Sequence, residues 1–224
     1  MATFVLLPGA GSDSWYWHLV APELEAQGHD VVAVDLPVTD DAAGLDEYTA
    51  CVVDAIGDRR EIVLVAQSLS GLIAPLVCER VPVDLMILVA AMVPRPGESG
   101  AEWWVNTGHA EARGPDASDD PVEIFLHDVP PDVARESAHH VHPQSGTVFA
   151  APCPLDAWPD VPTRFLLCRD DRFFPADFQR RVVRERLGFV PDEMDGGHLP
   201  ALSRPHELAE RILRYQAELP RDPQ

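Results

Sequence analysis

The chain is poor in basic residues: 17 stand against 37 acidic ones, a formal net charge of -20 over 224 residues. A field of that sign repels phosphate backbones and anionic headgroups, which sets nucleic acid and membrane surfaces aside as partners and leaves a solvated acidic surface. Cysteine is scarce as well. Cys51, Cys78, Cys153 and Cys168 lie far apart, with no C-x-x-C pair of the kind that holds zinc or runs redox chemistry. They read as reduced, mostly buried thiols of a cytoplasmic protein. No apolar run approaches the roughly 20 residues that cross a bilayer. The first residues, up to the turn at Pro8-Gly9, show neither a basic n-region nor a small-residue cleavage site, so no export signal is expected.

What is present is a 46% apolar content, enough for one domain over 1–224 to fold without disulfides or metal. Short β-branched runs alternate with helical stretches, the pattern of a parallel sheet covered on both faces. Strands are expected at 4–7, 31–34, 62–66, 85–90, 163–168 and 189–194. Helices are expected at 17–27, closed by Gly28, and at 46–56, 69–80, 176–187 and 204–219. The fold class is therefore α/β, with about six mostly parallel strands flanked by helices. From 94 to 162 the texture changes: prolines and acidic residues are frequent, strand-like runs vanish, and short amphipathic pieces appear at 121–127 and 131–140. This stretch reads as a small helical lid inserted over the carboxyl edge of the sheet, where such folds bind ligands.

The central motif is Ile62-Val63-Leu64-Val65-Ala66-Gln67-Ser68-Leu69-Ser70-Gly71, a buried strand running into a helix through a serine among small residues. It has the form of a nucleophile elbow, G-x-S-x-G, with Ala66 and Ser70 in the outer glycine positions; both are small, so the steric requirement survives. The plainer reading is a serine that caps the following helix. A serine hydroxyl is a weak nucleophile, so a base and an orienting acid should follow it, acid first and histidine second. After the fifth expected strand comes Arg169-Asp170-Asp171-Arg172-Phe173-Phe174-Pro175. Asp171, four residues before the proline that opens the next helix, is the candidate acid, with Asp170 the alternative. After the sixth comes Asp195-Gly196-Gly197-His198, where two glycines allow a sharp turn that presents the imidazole at the sheet edge. An oxyanion hole needs backbone N–H groups. Leu69 offers one, and the turn Pro8-Gly9-Ala10-Gly11 another, from Ala10 in preference to Gly11. Gly9, Gly11, Trp103 and Trp104 are candidate substrate-binding residues, the two tryptophans alternatively packing the lid onto the sheet. His139, His140 and His142 lack carboxylate partners at ligand spacing and read as an exposed face and not as a metal site.

Residues 4–37, with Trp15-Tyr16-Trp17 and Gly28-His29, together with Ala66 to Gly71, Arg169 to Pro175 and Gly196 to His198, resemble the α/β-hydrolase superfamily. Within it the chain is most similar to the branch of small esterases, plant methylesterases and hydroxynitrile lyases. The resemblance implies a catalytic triad of Ser68, Asp171 and His198, no cofactor, and a site roofed by the lid. Lyases of that branch carry a threonine after the first strand and a lysine after the histidine; Gly9 and Leu199 stand at those positions here, which favours hydrolysis over cyanide elimination. Ala66, Ser70 and Pro8, the last where many relatives have histidine, depart from the family pattern. The expected activity is a serine hydrolase acting on a small-molecule ester or acyl substrate, as a monomer or homodimer. A lyase or cyclase-like enzyme and a non-catalytic small-molecule receptor are the rival readings.

Overall fold

Alternation along the first strand sets the architecture. In β1 (Thr3–Leu7), Phe4 and Leu6 enter one apolar cluster and Val5 and Leu7 another, as the two-residue period of a strand requires when both faces are covered. The computed structural model describes residues 1–219. In it β1 joins β2 (Asp30–Ala33), β3 (Ile62–Gln67), β4 (Leu85–Val89), β5 (Thr163–Cys168) and β6 (Asp192–Met194) in one sheet of order β2-β1-β3-β4-β5-β6, parallel throughout. The expected α/β class holds. The face of Val5 and Leu7 is covered by α2 (Leu45–Ile56), α3 (Ala74–Cys78) and α9 (Ala176–Leu187), through Tyr48, Val52, Val77, Phe178 and Val182. The face of Phe4 and Leu6 is covered by α1 (Ala21–Ala26), α10 (Pro200–Ser203) and α11 (Pro205–Ala217), through Leu24, Leu202, Leu208 and Ile212.

The strand order fixes where a ligand can go. From β1 the chain turns to β2 on one side, then crosses to β3 on the other, so a crevice opens between the carboxyl ends of β1 and β3. Both candidate elements of the oxyanion hole, the turn after Leu7 and the residue after Ser68, sit at that crevice.

Three elements depart from the sequence expectation, each at a proline. The helix expected at 17–27 is a 3₁₀ turn, Ser14–Trp17, followed by α1, whose first turn holds Pro22. The helix expected at 69–80 is a 3₁₀ turn, Ser68–Leu72, followed by the short α3, whose first turn holds Pro75. The last strand is confined to Asp192–Met194, just after Pro191, which has no N–H to give to the ladder.

Between β4 and β5 the chain forms five short helices: α4 (Gly100–Asn106), α5 (His109–Arg113), α6 (Pro121–Phe125), α7 (Pro131–Ser137) and α8 (Thr147–Ala150). Of these, α4, α5 and α8 have no counterpart in the sequence reading. The base of this insertion is fastened by a buried ion pair. Glu98, 5% exposed at its side chain, meets Arg186 of α9, 3% exposed, and Arg186 also donates to the carbonyl of Val93. Asn106 and the Arg95 N–H complete the carboxylate's partners. Burial works to raise the Glu98 carboxyl, but the bonds from Arg186, Asn106 and Arg95 outweigh it and hold the group below its ordinary 4.5. Its contribution to stability is therefore present at neutral pH and is lost as the pH falls below 4.5 through the native value. Removing one partner leaves the other charge buried and unpaired, so Glu98→Ala should lower the unfolding free energy in urea by about 3–5 kcal/mol at pH 7. The deficit against the native protein should shrink in the same titration at acid pH.

Candidate active site

β3 ends at Gln67 in an extended conformation, φ −102° and ψ 138°, and the chain turns at once into the 3₁₀ segment Ser68–Leu72. At the junction Ser68 has φ +53°, a region an L-residue occupies at a cost of about 1–3 kcal/mol. Its surroundings hold it there. The Met92 N–H, from the loop after β4, donates to the Ser68 carbonyl at 2.9 Å. The Ser70 hydroxyl donates to the Pro8 carbonyl, tying the elbow to the turn after β1. The glycine this geometry demands is Gly71: a Cβ there would lie 1.9 Å from the Met92 carbonyl oxygen. Serine in the outer position of the elbow thus gives the turn a hydrogen bond that glycine lacks.

At the end of β5, Asp171 folds back beneath its own loop. Its Oδ1 accepts the N–H groups of Phe173 and Phe174, both at 2.8 Å, and its Oδ2 faces His198 Nδ1 at 2.8 Å, with Gln179 Nε2 at 3.4 Å. A carboxylate this well supplied with donors can remain an acceptor although it is buried. With Nδ1–H given to Asp171, the neutral imidazole keeps Nε2 as an acceptor, and Nε2 lies 2.9 Å from Ser68 Oγ. Asp170, the alternative acid, is exposed and turned elsewhere; its Oδ2 accepts the Gly196 N–H at 3.1 Å and braces the turn that carries His198.

That turn is held from two further sides. Gln67 Nε2 donates to the His198 carbonyl at 2.9 Å, and Asp128, between α6 and α7, accepts the Gly197 N–H at 2.7 Å. Neither residue was singled out in the sequence. Gln67 is legible in retrospect as the neighbour of the elbow serine, whereas Asp128 lies 69 residues from its partner and no spacing announces it.

Ser68 and His198 open into a cavity of about 490 Å³, within the range of small-molecule sites. Gly9, Ala10, Gly11, Trp15 and Tyr16 line one side, Phe125 and Phe173 lie against His198, and Ser137, His140, Val141, His142 and Gln144 of the insertion form the roof. Leu69 precedes the first bond of the 3₁₀ segment, so its N–H has no helical partner. Among the described residues the Ala10 N–H makes no hydrogen bond, while the Gly11 N–H donates to Gln144 Oε1 at 2.9 Å. Of the two donors considered in that turn, Ala10 is the one left free.

Other expectations need correction. Trp103 and Trp104 do not line the cavity. Trp103 is 1% exposed, donates its Nε1–H to the Val93 carbonyl and packs on Phe174 and Phe178; Trp104 stacks edge-on against His109 beside it. Their aromatic surface secures the insertion to α9 and backs the Asp171 loop. His140 and His142 do have a carboxylate partner: Nδ1 of the one and Nε2 of the other meet Asp13 Oδ2 at 3.0 and 2.9 Å, and His139 alone is exposed. Burial works to raise the Asp13 carboxyl, yet these bonds and one from the Trp15 N–H hold it below its ordinary value. Among the described residues no group of three or more His, Cys, Asp or Glu side chains is placed to hold a metal ion, and no helix is long and apolar enough to cross a membrane. All four cysteines are free thiols, and burial raises each of them, Cys78 to about 12 and Cys168 well above the usual range. None supplies a thiolate at neutral pH.

Known proteins are similar to this one along nearly the whole chain. Methylesterase 3 of Arabidopsis thaliana is 25% identical, over 93% of this chain and 94% of its own length. The crystal structure of polyneuridine aldehyde esterase superposes with a TM-score of 0.81 at 20% identity, covering 96% of this chain and 99% of that one. A pyrethroid hydrolase from Sphingobium faniae superposes at 0.80 with 24% identity, covering 97% and 98%. These likenesses extend the fold across the insertion as well as the sheet. A model of the alpha/beta hydrolase family matches residues 4–211, nearly the whole of the chain, and the protein belongs to that family.

Proposed function

We propose that the protein is a serine hydrolase that cleaves a carboxylic ester of a small, uncharged molecule through an acyl-enzyme intermediate. The observation that carries the reading is the continuous path Ser68 Oγ, His198 Nε2, His198 Nδ1, Asp171 Oδ2, with contacts of 2.9 and 2.8 Å in a buried setting. Ser68 attacks the carbonyl carbon as His198 takes its proton, and Asp171 holds the imidazolium that forms. The N–H groups of Leu69 and Ala10 stabilise the oxyanion, and the proton on His198 passes to the leaving alcohol. Water then attacks the acyl-enzyme through the same imidazole and releases the acid. The similarity to proteins named methylesterase and esterase supports an ester as the bond cleaved.

The cavity supports the substrate class. Among the described residues that line it there is no Asp, Glu, Lys or Arg, and aromatic and aliphatic side chains dominate. An anionic acyl group placed there would find no Lys or Arg to pair with inside a protein of net charge -20.

Two outcomes follow. Turnover of p-nitrophenyl butyrate should fall by about 10⁴-fold or more in Ser68→Ala, and solvent oxygen should appear in the carboxylate product. Sustained turnover without that oxygen would point to a lyase or cyclase-like reaction, and slow single-event labelling with tight binding to a receptor. In the native enzyme, kcat/KM for p-nitrophenyl butyrate should exceed that for its succinate analogue by about 100-fold. Parity between the two esters would refute the uncharged-substrate reading.

A further inference from the structure

The roof of the cavity carries a side chain whose bonds the triad does not explain. Gln144 reaches from the insertion to the turn after β1, 133 residues away, and its Oε1 accepts the Gly11 N–H at 2.9 Å. Its amide is fixed in orientation, because Nε2 faces Tyr48 Oη at 3.0 Å and the Ser145 carbonyl at 2.9 Å. The carbonyl can only accept, so the nitrogen must point that way and the oxygen must face Gly11. The same stretch grips the turn through its backbone. The His142 N–H donates to the Gly11 carbonyl at 2.8 Å, and Ser12 and Val141 form an antiparallel bridge. Gly11 has φ +63°, and a Cβ on it would come within 2.7 Å of the His142 carbonyl oxygen, so glycine is what permits the approach.

The consequence falls on Ala10. On one side of it Gly9 sits against Gln67, whose Oε1 a Cβ would meet at 2.2 Å; on the other the peptide leading to Gly11 is held by Gln144. A donor stabilises a developing oxyanion well only if it is aimed before the charge appears. A turn with glycine on both sides of the donor has the freedom to aim it wrongly. We propose that Gln144 is a positioning residue of the oxyanion hole: by taking the Gly11 N–H it fixes the peptide next to Ala10 and leaves the Ala10 N–H as the donor to the tetrahedral intermediate. The insertion then completes the catalytic apparatus as well as shaping the pocket. This inference rests on the serine hydrolase reading above.

The test compares native protein, Gln144→Met and Tyr48→Phe in kcat and KM with p-nitrophenyl butyrate, in inhibition by a trifluoromethyl ketone, and in Tm. The ketone adds to the serine oxygen, the serine proton passing to His198 and the carbonyl oxygen becoming the oxyanion, so its affinity reports the hole directly. Gln144→Met, which cannot accept the Gly11 N–H, should lose about 10- to 100-fold in kcat and in ketone affinity, with KM within about twofold. Tyr48→Phe, which deletes one of the two oxygens that hold the amide nitrogen, should show a smaller fall of the same kind and remains informative if Gln144→Met does not fold. Native kcat in Gln144→Met, or a change confined to KM or Tm, would overturn the assignment. A native protein that turns over while Gln144→Met matches it fails this inference alone. A native protein that neither turns over nor is labelled at Ser68 by a fluorophosphonate fails the hydrolase reading and this one with it.

Discussion

Ser68 is held in a backbone conformation that a free L-residue would leave, and much of the surrounding architecture can be understood as what keeps it there. The Met92 N–H takes its carbonyl, Gly71 lets the Met92 backbone close in, and Ser70 ties the elbow to Pro8. The partners come from the ends of β4 and β1, so the strained residue is secured by neighbouring strands as well as by its own 3₁₀ turn. The buried side chains of β1, β3 and β4 on both faces make that sheet rigid enough to bear the strain.

The same economy governs the histidine. A ring on a two-glycine turn at the edge of the sheet would swing freely, yet Gln67, Asp170 and Asp128 each take a backbone group of that turn. Asp171, fastened by the Phe173 and Phe174 N–H groups, then sets which ring nitrogen carries the proton. The insertion touches three loops of the site: Gln144 at the turn after β1, Asp128 at the histidine turn, and the Glu123 carbonyl at Arg172 of the Asp171 loop. Substrate space and donor geometry are therefore shaped by one stretch of chain.

Much of this was legible in the sequence because it depends on order and period. The apolar runs gave the six strands, and serine, aspartate and histidine each follow a strand end, so the sheet brings together side chains 130 residues apart. What was not legible depends on contacts between distant segments. The apolar pattern around residues 22 and 75 runs on through both prolines, whereas each proline sits in the first turn of a helix that begins later than that pattern does. Trp103 and Trp104 look like pocket residues by composition alone; only the position of Phe174 and Phe178 makes them part of the core. The pairing of His140 and His142 with Asp13 spans more than 120 residues and leaves no local trace.

The insertion leaves the sheet after β4 and returns at β5, and those two strands are direct neighbours. A detour between adjacent strands can grow or shrink without rethreading the fold, which makes it the natural place for specificity to diversify. Here that freedom is curtailed, because residues at opposite ends of the detour are committed: Glu98 near its start to α9, Gln144 near its close to the turn beside Ala10. A graft that exchanged the roof wholesale would disturb these anchors along with the pocket, so redesign of selectivity belongs to pocket-facing side chains between the two moorings, Asp128 and the backbone of Val141 and His142 excepted.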